Sequence, residues 1–346
     1  MISRANSGMG MAECWIMPGK IAMQIKRRAL VALGSSALIL GNRPALAATQ
    51  SPVQQALDSF IALPATSAAL VSVVQDTSRW EVAHNADGHL FMGSAVKTFI
   101  LAEVLRQCES AQLSEDQPLP IDDQVRSLVS PVFAELSGRT PLRSVLEAMI
   151  SHSDNTATDA ALAVCGVAPV RALIAQANLQ QTEIPTSTRQ FFSYLAGAPY
   201  GTDLGWAGME ALQKGKSFGK SRLPLNRRET MASTAREMVA WYEKALSGTF
   251  FSEPETVTEY KRILAMGDAI ALVVPAGIAA YAKGGSIDWE DFHCFALAGQ
   301  MILDGTPATF CFAINWTGPA RGVPVMFDAY RETAAGVLEA TRKAFI

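Results

Sequence analysis

Strand-forming sequence gathers at the two ends of this chain, with a long helical block between. Residues 68–75 (AALVSVVQ) and 80–84 (WEVAH) are β-rich and separated by Asp76-Thr77-Ser78-Arg79, which predicts a hairpin. Three further strands are expected at 278–283, 291–302 and 308–316, with Asp304-Gly305-Thr306-Pro307 turning between the last two. A C-terminal helix should cover 327–344. A chain with this order closes one antiparallel sheet from both ends and carries an inserted all-helical lobe. The fold class is therefore α/β (α+β), an antiparallel sheet flanked by helices.

Within the block, Ser94 to Cys108 is apolar on most sides and predicts a buried central helix. Pro118 to Asp123 reads as a loop. Residues 141–150 form a helix with Pro at its start, followed by helices at 156–164 and 168–178. Residues 183–230 are rich in Gly, Pro and Thr with weak periodicity, so an extended loop region is expected, with a short helix near 206–213. Amphipathic spacing predicts helices at 231–247 and 254–265. No internal repeat or low-complexity tract is present.

Residues 1–47 read as a secretory signal peptide. Lys26, Arg27 and Arg28 precede an apolar run from Ala29 to Leu40, too short to span a bilayer, and Ala45-Leu46-Ala47 is a small-x-small cleavage site. Met23 is the more natural start, with residues 1–22 an over-extended gene start. Arg27-Arg28 permits twin-arginine as well as Sec export, so a periplasmic or secreted product is expected. Cleavage removes six basic residues and one acidic one, leaving 23 Lys and Arg against 31 Asp and Glu, a net of −8. That balance argues against a nucleic-acid partner. No later apolar run reaches spanning length. Cys108, Cys165, Cys294 and Cys311 show no ligand spacing, so no metal or other cofactor is expected and four buried thiols are the default.

Three short strings carry chemistry: Ser94-Ala95-Val96-Lys97, Ser153-Asp154-Asn155 and Lys283-Gly284-Gly285-Ser286. Ser94 and Lys97 share one helix face. A serine hydroxyl needs a base, and a lysine in apolar surroundings at a helix N-terminus is pushed toward the neutral form that can serve. Taken alone, Ser-x-x-Lys is a weak signal. A second copy, Ser217-Phe218-Gly219-Lys220, sits in a polar stretch and reads as a surface pair. Ser153 can relay a proton to a leaving nitrogen, Asn155 can orient Lys97 or a substrate amide, and Asp154 can fix the loop. The same three residues are good helix N-caps. Lys283 can hold an anion and polarise Ser153, and the glycines let a substrate lie against the strand edge. The backbone amides of Ser94 and Ser286 can form an oxyanion hole. A tight turn is the plain alternative for the glycines.

Together the strings resemble the signature of serine β-lactamases and penicillin-binding proteins. SHSDNTATDAAL around the second string is most similar to class A β-lactamases, and the resemblance covers roughly residues 52–346. It implies an active site between sheet and helical lobe, with Ser94 as nucleophile, Lys97 as acylation base, Ser153 as proton shuttle and Lys283 as carboxylate anchor. Three departures stand out. The third string has Gly284 where a Thr or Ser is usual. No omega-loop Glu-x-x-Leu-Asn string exists; Thr188, Arg189 and Gln190 lie near its expected place, and Glu183 comes slightly early. His293 stands where an Arg is common on the next strand, and is carried as a substrate-binding candidate. An exported hydrolase acting on β-lactams or cell-wall-like amides is the first expectation. The rivals are a penicillin-binding-type peptidase and a non-catalytic binding domain on the same scaffold.

Overall fold

The computed structural model describes residues 51–346, so the expected export signal lies outside the described residues. Helix α1 (Pro52–Ile61) is capped by the Ser51 hydroxyl, which accepts from the Gln54 N–H. Strands β1 (Thr66–Gln75) and β2 (Ser78–His84) form the expected hairpin, and β3 (Leu90–Phe91) follows. A 3-10 turn (Gly93–Val96) then leads into α2 (Lys97–Glu109). Ten of the thirteen α2 residues are buried, which makes it the central helix of the lobe.

The expected loop at 118–123 is corrected in part. Residues Pro118–Ile121 are strand β4, paired with β5 (Gly138–Pro141) in a two-stranded ribbon whose inward side chains are Leu119 and Ile121. Helices α3 (Leu142–Ser151), α4 (Asn155–Cys165) and α5 (Val167–Gln176) lie where the spacing put them. The 183–230 region holds α7 (Gly205–Gln213), as expected, but also α6 (Thr188–Leu195), which was not. At eight residues, α6 is shorter than the window of about 11 residues over which helical periodicity registers. The two-residue β6 (Ala232–Ser233) pairs with β3, and α8 (Ala235–Leu246) and α9 (Pro254–Leu264) complete the lobe, while α10 (Ile270–Val273) packs with the other sheet face.

The chain then returns to the sheet as β7 (Ala280–Trp289), β8 (Phe292–Leu303) and β9 (Thr306–Thr317), and ends in α11 (Val323–Phe345). Asp304 (φ +46°) and Gly305 (φ +88°) are both left-handed, the two-residue turn that joins β8 to β9 with the right twist. All neighbours are antiparallel in the order β2-β1-β9-β8-β7, with the first strand pairing the last from Thr66–Asn315 to Val73–Ala308. Strand β7 is therefore an edge. It runs six residues past its expected end and carries Gly284-Gly285-Ser286 within the strand rather than in a turn.

One sheet face is covered by α1 and α11, with Phe60, Phe312 and Tyr330 in contact beneath them. The other packs on the lobe. There the Trp241 indole lies 4.6 Å from the Phe99 ring, and its Nε1–H donates to Thr98 Oγ1 (3.1 Å) and Tyr260 Oη (3.2 Å). One buried aromatic thus ties α2 to α8 and α9. Burying a side chain of that size contributes about 2–3 kcal/mol, and its polar atom is satisfied.

Candidate active site

The first and third strings meet backbone to backbone. A Cβ on Gly285 would lie 2.0 Å from Met92 O and 2.8 Å from Ser94 N, so only glycine lets β7 approach the 3-10 turn. From the other side, Gly93 adopts φ +53°, and a Cβ there would lie 2.9 Å from Ser286 N. The amides of Ser94 and Ser286 therefore share one seam, the arrangement an oxyanion hole needs. Ser94 is half-buried at the mouth of that seam, and its carbonyl accepts from the Lys97 N–H.

Lys97 joins the first string to the second. Its side chain is 1% exposed. Nζ donates to Ser153 O (2.6 Å) and Asn155 Oδ1 (2.7 Å), with Ser153 Oγ at 3.4 Å. Both near partners only accept. These contacts fix the amine against the second string, on the side of the cleft where a proton-transfer group would stand.

Ser153 holds φ +56°, a left-handed conformation costly for a residue with a Cβ. Asp154, fully buried, holds it there. Its Oδ1 caps α4 at Ala157 N (2.8 Å), and its Oδ2 accepts from Val132 N and Phe133 N (both 2.9 Å). Asn155 is fixed in turn, because its Nδ2 donates to Leu128 O (2.8 Å) and only its oxygen is left to face Lys97. The capping reading of this string is met by Asp154, and the same turn sets Ser153 and Asn155 beside Lys97.

Of the positions considered for activating water, Thr188 alone lies against the second string. It is the first residue of α6 and 1% exposed. Its hydroxyl donates to Ser127 Oγ (2.7 Å) and is 3.4 Å from Asn155 O. Asp159 holds this segment, accepting from Thr188 N (2.6 Å) and Arg189 N (3.0 Å), and burial pushes its carboxyl up to about 6. Asp159 was not singled out from sequence. Its place one helical turn past Asn155 is the signal that could have found it. The Arg189 guanidinium is engaged with Asp203, and the Gln190 N–H is taken by the Ser187 cap. Glu183 bridges to Ala232 with its carboxylate 3.5 Å from His89 Nε2.

Lys283 is 1% exposed with Nζ donating to Gly284 O (2.8 Å). At Gly284 a Cβ would sit 2.7 Å from Ala269 Cβ, so a hydroxyl-bearing side chain there would require Ala269 to shift. His293 does not line the cleft, which corrects its assignment to substrate binding. It is fully buried, opposite Asp288 and Trp316 in the sheet register, with its ring 5.0 Å from the Trp316 ring. Nε2 donates to Gly318 O (2.7 Å), and Nδ1 lies 2.9 Å from Asp288 Oδ1. Strand alternation explains the difference: Cys294 faces the lobe, so His293 and Phe295 face α11. The Ser217 pair is exposed, its hydroxyl donating to Gly219 O. Among the described residues, no group of three His, Cys, Asp or Glu side chains is placed to hold a metal.

A family model described as the β-lactamase enzyme family matches residues 52–295, from α1 through the three strings into β8. The chain belongs to that family. Its fold is the β-lactamase/transpeptidase-like one, seen in a β-lactamase from Chitinophaga pinensis (TM-score 0.66, 16% identity, 85% of this chain and 98% of that one). A β-lactamase from Sphaerobacter thermophilus matches similarly (0.65, 16%, 85% and 96%), as does PBP-A (0.63, 15%, 84% and 96%). A PBP-A mutant has been solved as its acyl-enzyme complex with penicillin G. No curated protein matches the chain. Family membership makes this chain a β-lactamase-family serine hydrolase by fold.

Proposed function

We propose that the protein acts, after export, as a serine hydrolase that forms an acyl-enzyme on Ser94 with β-lactams or cell-wall-like amides and releases it slowly. The observation that carries the acylation half is Lys97 buried between two acceptors, Ser153 O and Asn155 Oδ1. In this reading Lys97 takes the Ser94 proton as Oγ attacks the substrate carbonyl. The oxyanion forms at the Ser94 and Ser286 amides, Ser153 passes a proton to the leaving nitrogen, and Lys283 favours the anionic species.

Slow release rests on Thr188. The residue of α6 that lies against Asn155 offers a hydroxyl already spent on Ser127, and the adjoining carboxylate, Asp159, is spent on two backbone amides. A hydroxyl is a far weaker base for water than a carboxylate. This favours a penicillin-binding-type amide hydrolase over a β-lactamase with rapid turnover. The acyl-enzyme of a PBP-A mutant with penicillin G lends support.

The test is mass spectrometry of the processed protein with penicillin G, beside a chromogenic cephalosporin assay. A Ser94 adduct that outlasts many assay intervals, with little colour change, is the expected result. Rapid colour change with no lasting adduct would restore the fast β-lactamase. Absence of both adduct and hydrolysis would leave a binding domain.

A further inference from the structure

The segment between α7 and β6 is not used by the chemistry, and its composition is unlike the rest of the chain. Residues 211–228 (ALQKGKSFGKSRLPLNRR) hold six cations and no acid. The rest of the chain past residue 47 has 17 Lys and Arg against 31 Asp and Glu. One short stretch is thus strongly positive on an otherwise strongly negative molecule.

The fold ties this segment down at several points. Gly197 and Gly219 meet backbone to backbone, and Phe218 N and Arg222 N donate to Ala196 O and Leu195 O, laying the segment along the end of α6. Arg222 stacks on Tyr194 (4.2 Å), Tyr194 packs on Tyr200 (6.2 Å), and Arg228 stacks on Tyr200 (5.2 Å). Lys214, Lys216, Lys220, Arg227 and Arg228 are exposed, and no ion pair among the described residues uses any of the six cations. Tyr200 and Leu223 stand out among them at 56% and 54% exposure. The patch borders the active site, because Trp289 at the end of β7 donates to Ser221 Oγ (3.1 Å).

Cations interleaved with an exposed aromatic and an exposed leucine suit a surface that is both anionic and apolar at shallow depth. A soluble polyanion would use the charges and leave Leu223 and Tyr200 in water. We infer that this patch docks the protein on an anionic lipid surface, with the mouth of the catalytic cleft held near the headgroups. Each cation at such a surface raises affinity about fivefold.

The test uses residues 48–346, which contain every element among the described residues, in co-sedimentation with vesicles of phosphatidylglycerol and phosphatidylcholine in equal parts and of phosphatidylcholine alone. Binding to the first only, weakened by salt, is expected. Lys214→Glu, Lys216→Glu and Lys220→Glu together should weaken it by two orders of magnitude or more, and Leu223→Ser alone about tenfold. Both variants should melt as the parent does, since all four side chains are exposed. The inference is overturned by no vesicle binding, by equal binding to neutral vesicles, or by indifference to the triple variant. It is likewise overturned if inorganic polyphosphate displaces the protein and Leu223→Ser changes nothing, which would mark a soluble polyanion as the partner.

Discussion

The Lys97 amine and the Ser153 backbone are the two places where single residues determine what the site can do. Lys97→Ala removes the base proposed for the Ser94 proton, so acylation by penicillin G should fall at least about a hundredfold. Labelling followed by mass spectrometry checks it. Ser217→Ala, in the exposed look-alike pair, should leave labelling unchanged. Ser153 separates chemistry from stability. At φ +56° glycine is the less strained residue, so Ser153→Gly should melt no lower than the parent. It should still acylate at least tenfold more slowly, because the proton relay is gone. A melt and a labelling rate on one sample decide this. Ser94, Lys97 and Asn155 were legible as residues because their spacing is local. The left-handed backbone at Ser153 was not, since nothing in Ser-His-Ser-Asp-Asn marks it; three acceptor bonds from a buried aspartate impose it.

Among the elements, β7 and α6 decide whether the strings become a site. Gly285→Ala would drive a methyl into Met92 O and Ser94 N. Overpacking of this kind costs about 1–3 kcal/mol, and the larger effect should be on Ser94 labelling, since the seam between β7 and the 3-10 turn must open. A protein that still melts cooperatively but has lost labelling is the expected outcome. Helix α6 depends on Asp159. Burial holds its carboxyl near 6 in the folded protein, against an ordinary 3.8. Between those values the folded state keeps a proton that the unfolded chain has released. Stability should therefore fall as pH rises from about 4 to 6, by at most about 3 kcal/mol from this group. Urea unfolding across that range should show the slope in the parent and a flatter one in Asp159→Asn. The sequence reading placed the strands at both ends and most of the lobe helices. Helices α1, α6 and α10 and the short strands β3 to β6 were not foreseen, α8 begins four residues later than expected, and β7 was ended too early because two glycines look like a turn until β8 is there to pair them.

For the molecule as a whole, four cysteines in an expected export product raise the question of disulfides, and among the described residues all four are free. Burial pushes Cys108 up to about 11 and Cys165 to about 12, and raises Cys294 and Cys311 further. Thiolates are the reactive form. At neutral pH the native protein should therefore react slowly with a thiol reagent, half-buried Cys108 first, and all four should react after denaturation. The melting temperature should not respond to a reducing agent; a clear drop would mean that bridges form. The sequence by itself determined the element order, the residue types available for chemistry and the charge imbalance, because period, turn residues and composition are local properties. Tertiary structure decided which of those residues meet. Lys97 reaches across 58 positions to Asn155, and Ser94 touches β7 from almost two hundred positions away. His293 went to the far face through strand alternation, and Thr188 came to the second string through the clamp of Asp159. Such contacts are set by how a sheet closes and a lobe packs on it, and no window of neighbouring residues contains that information.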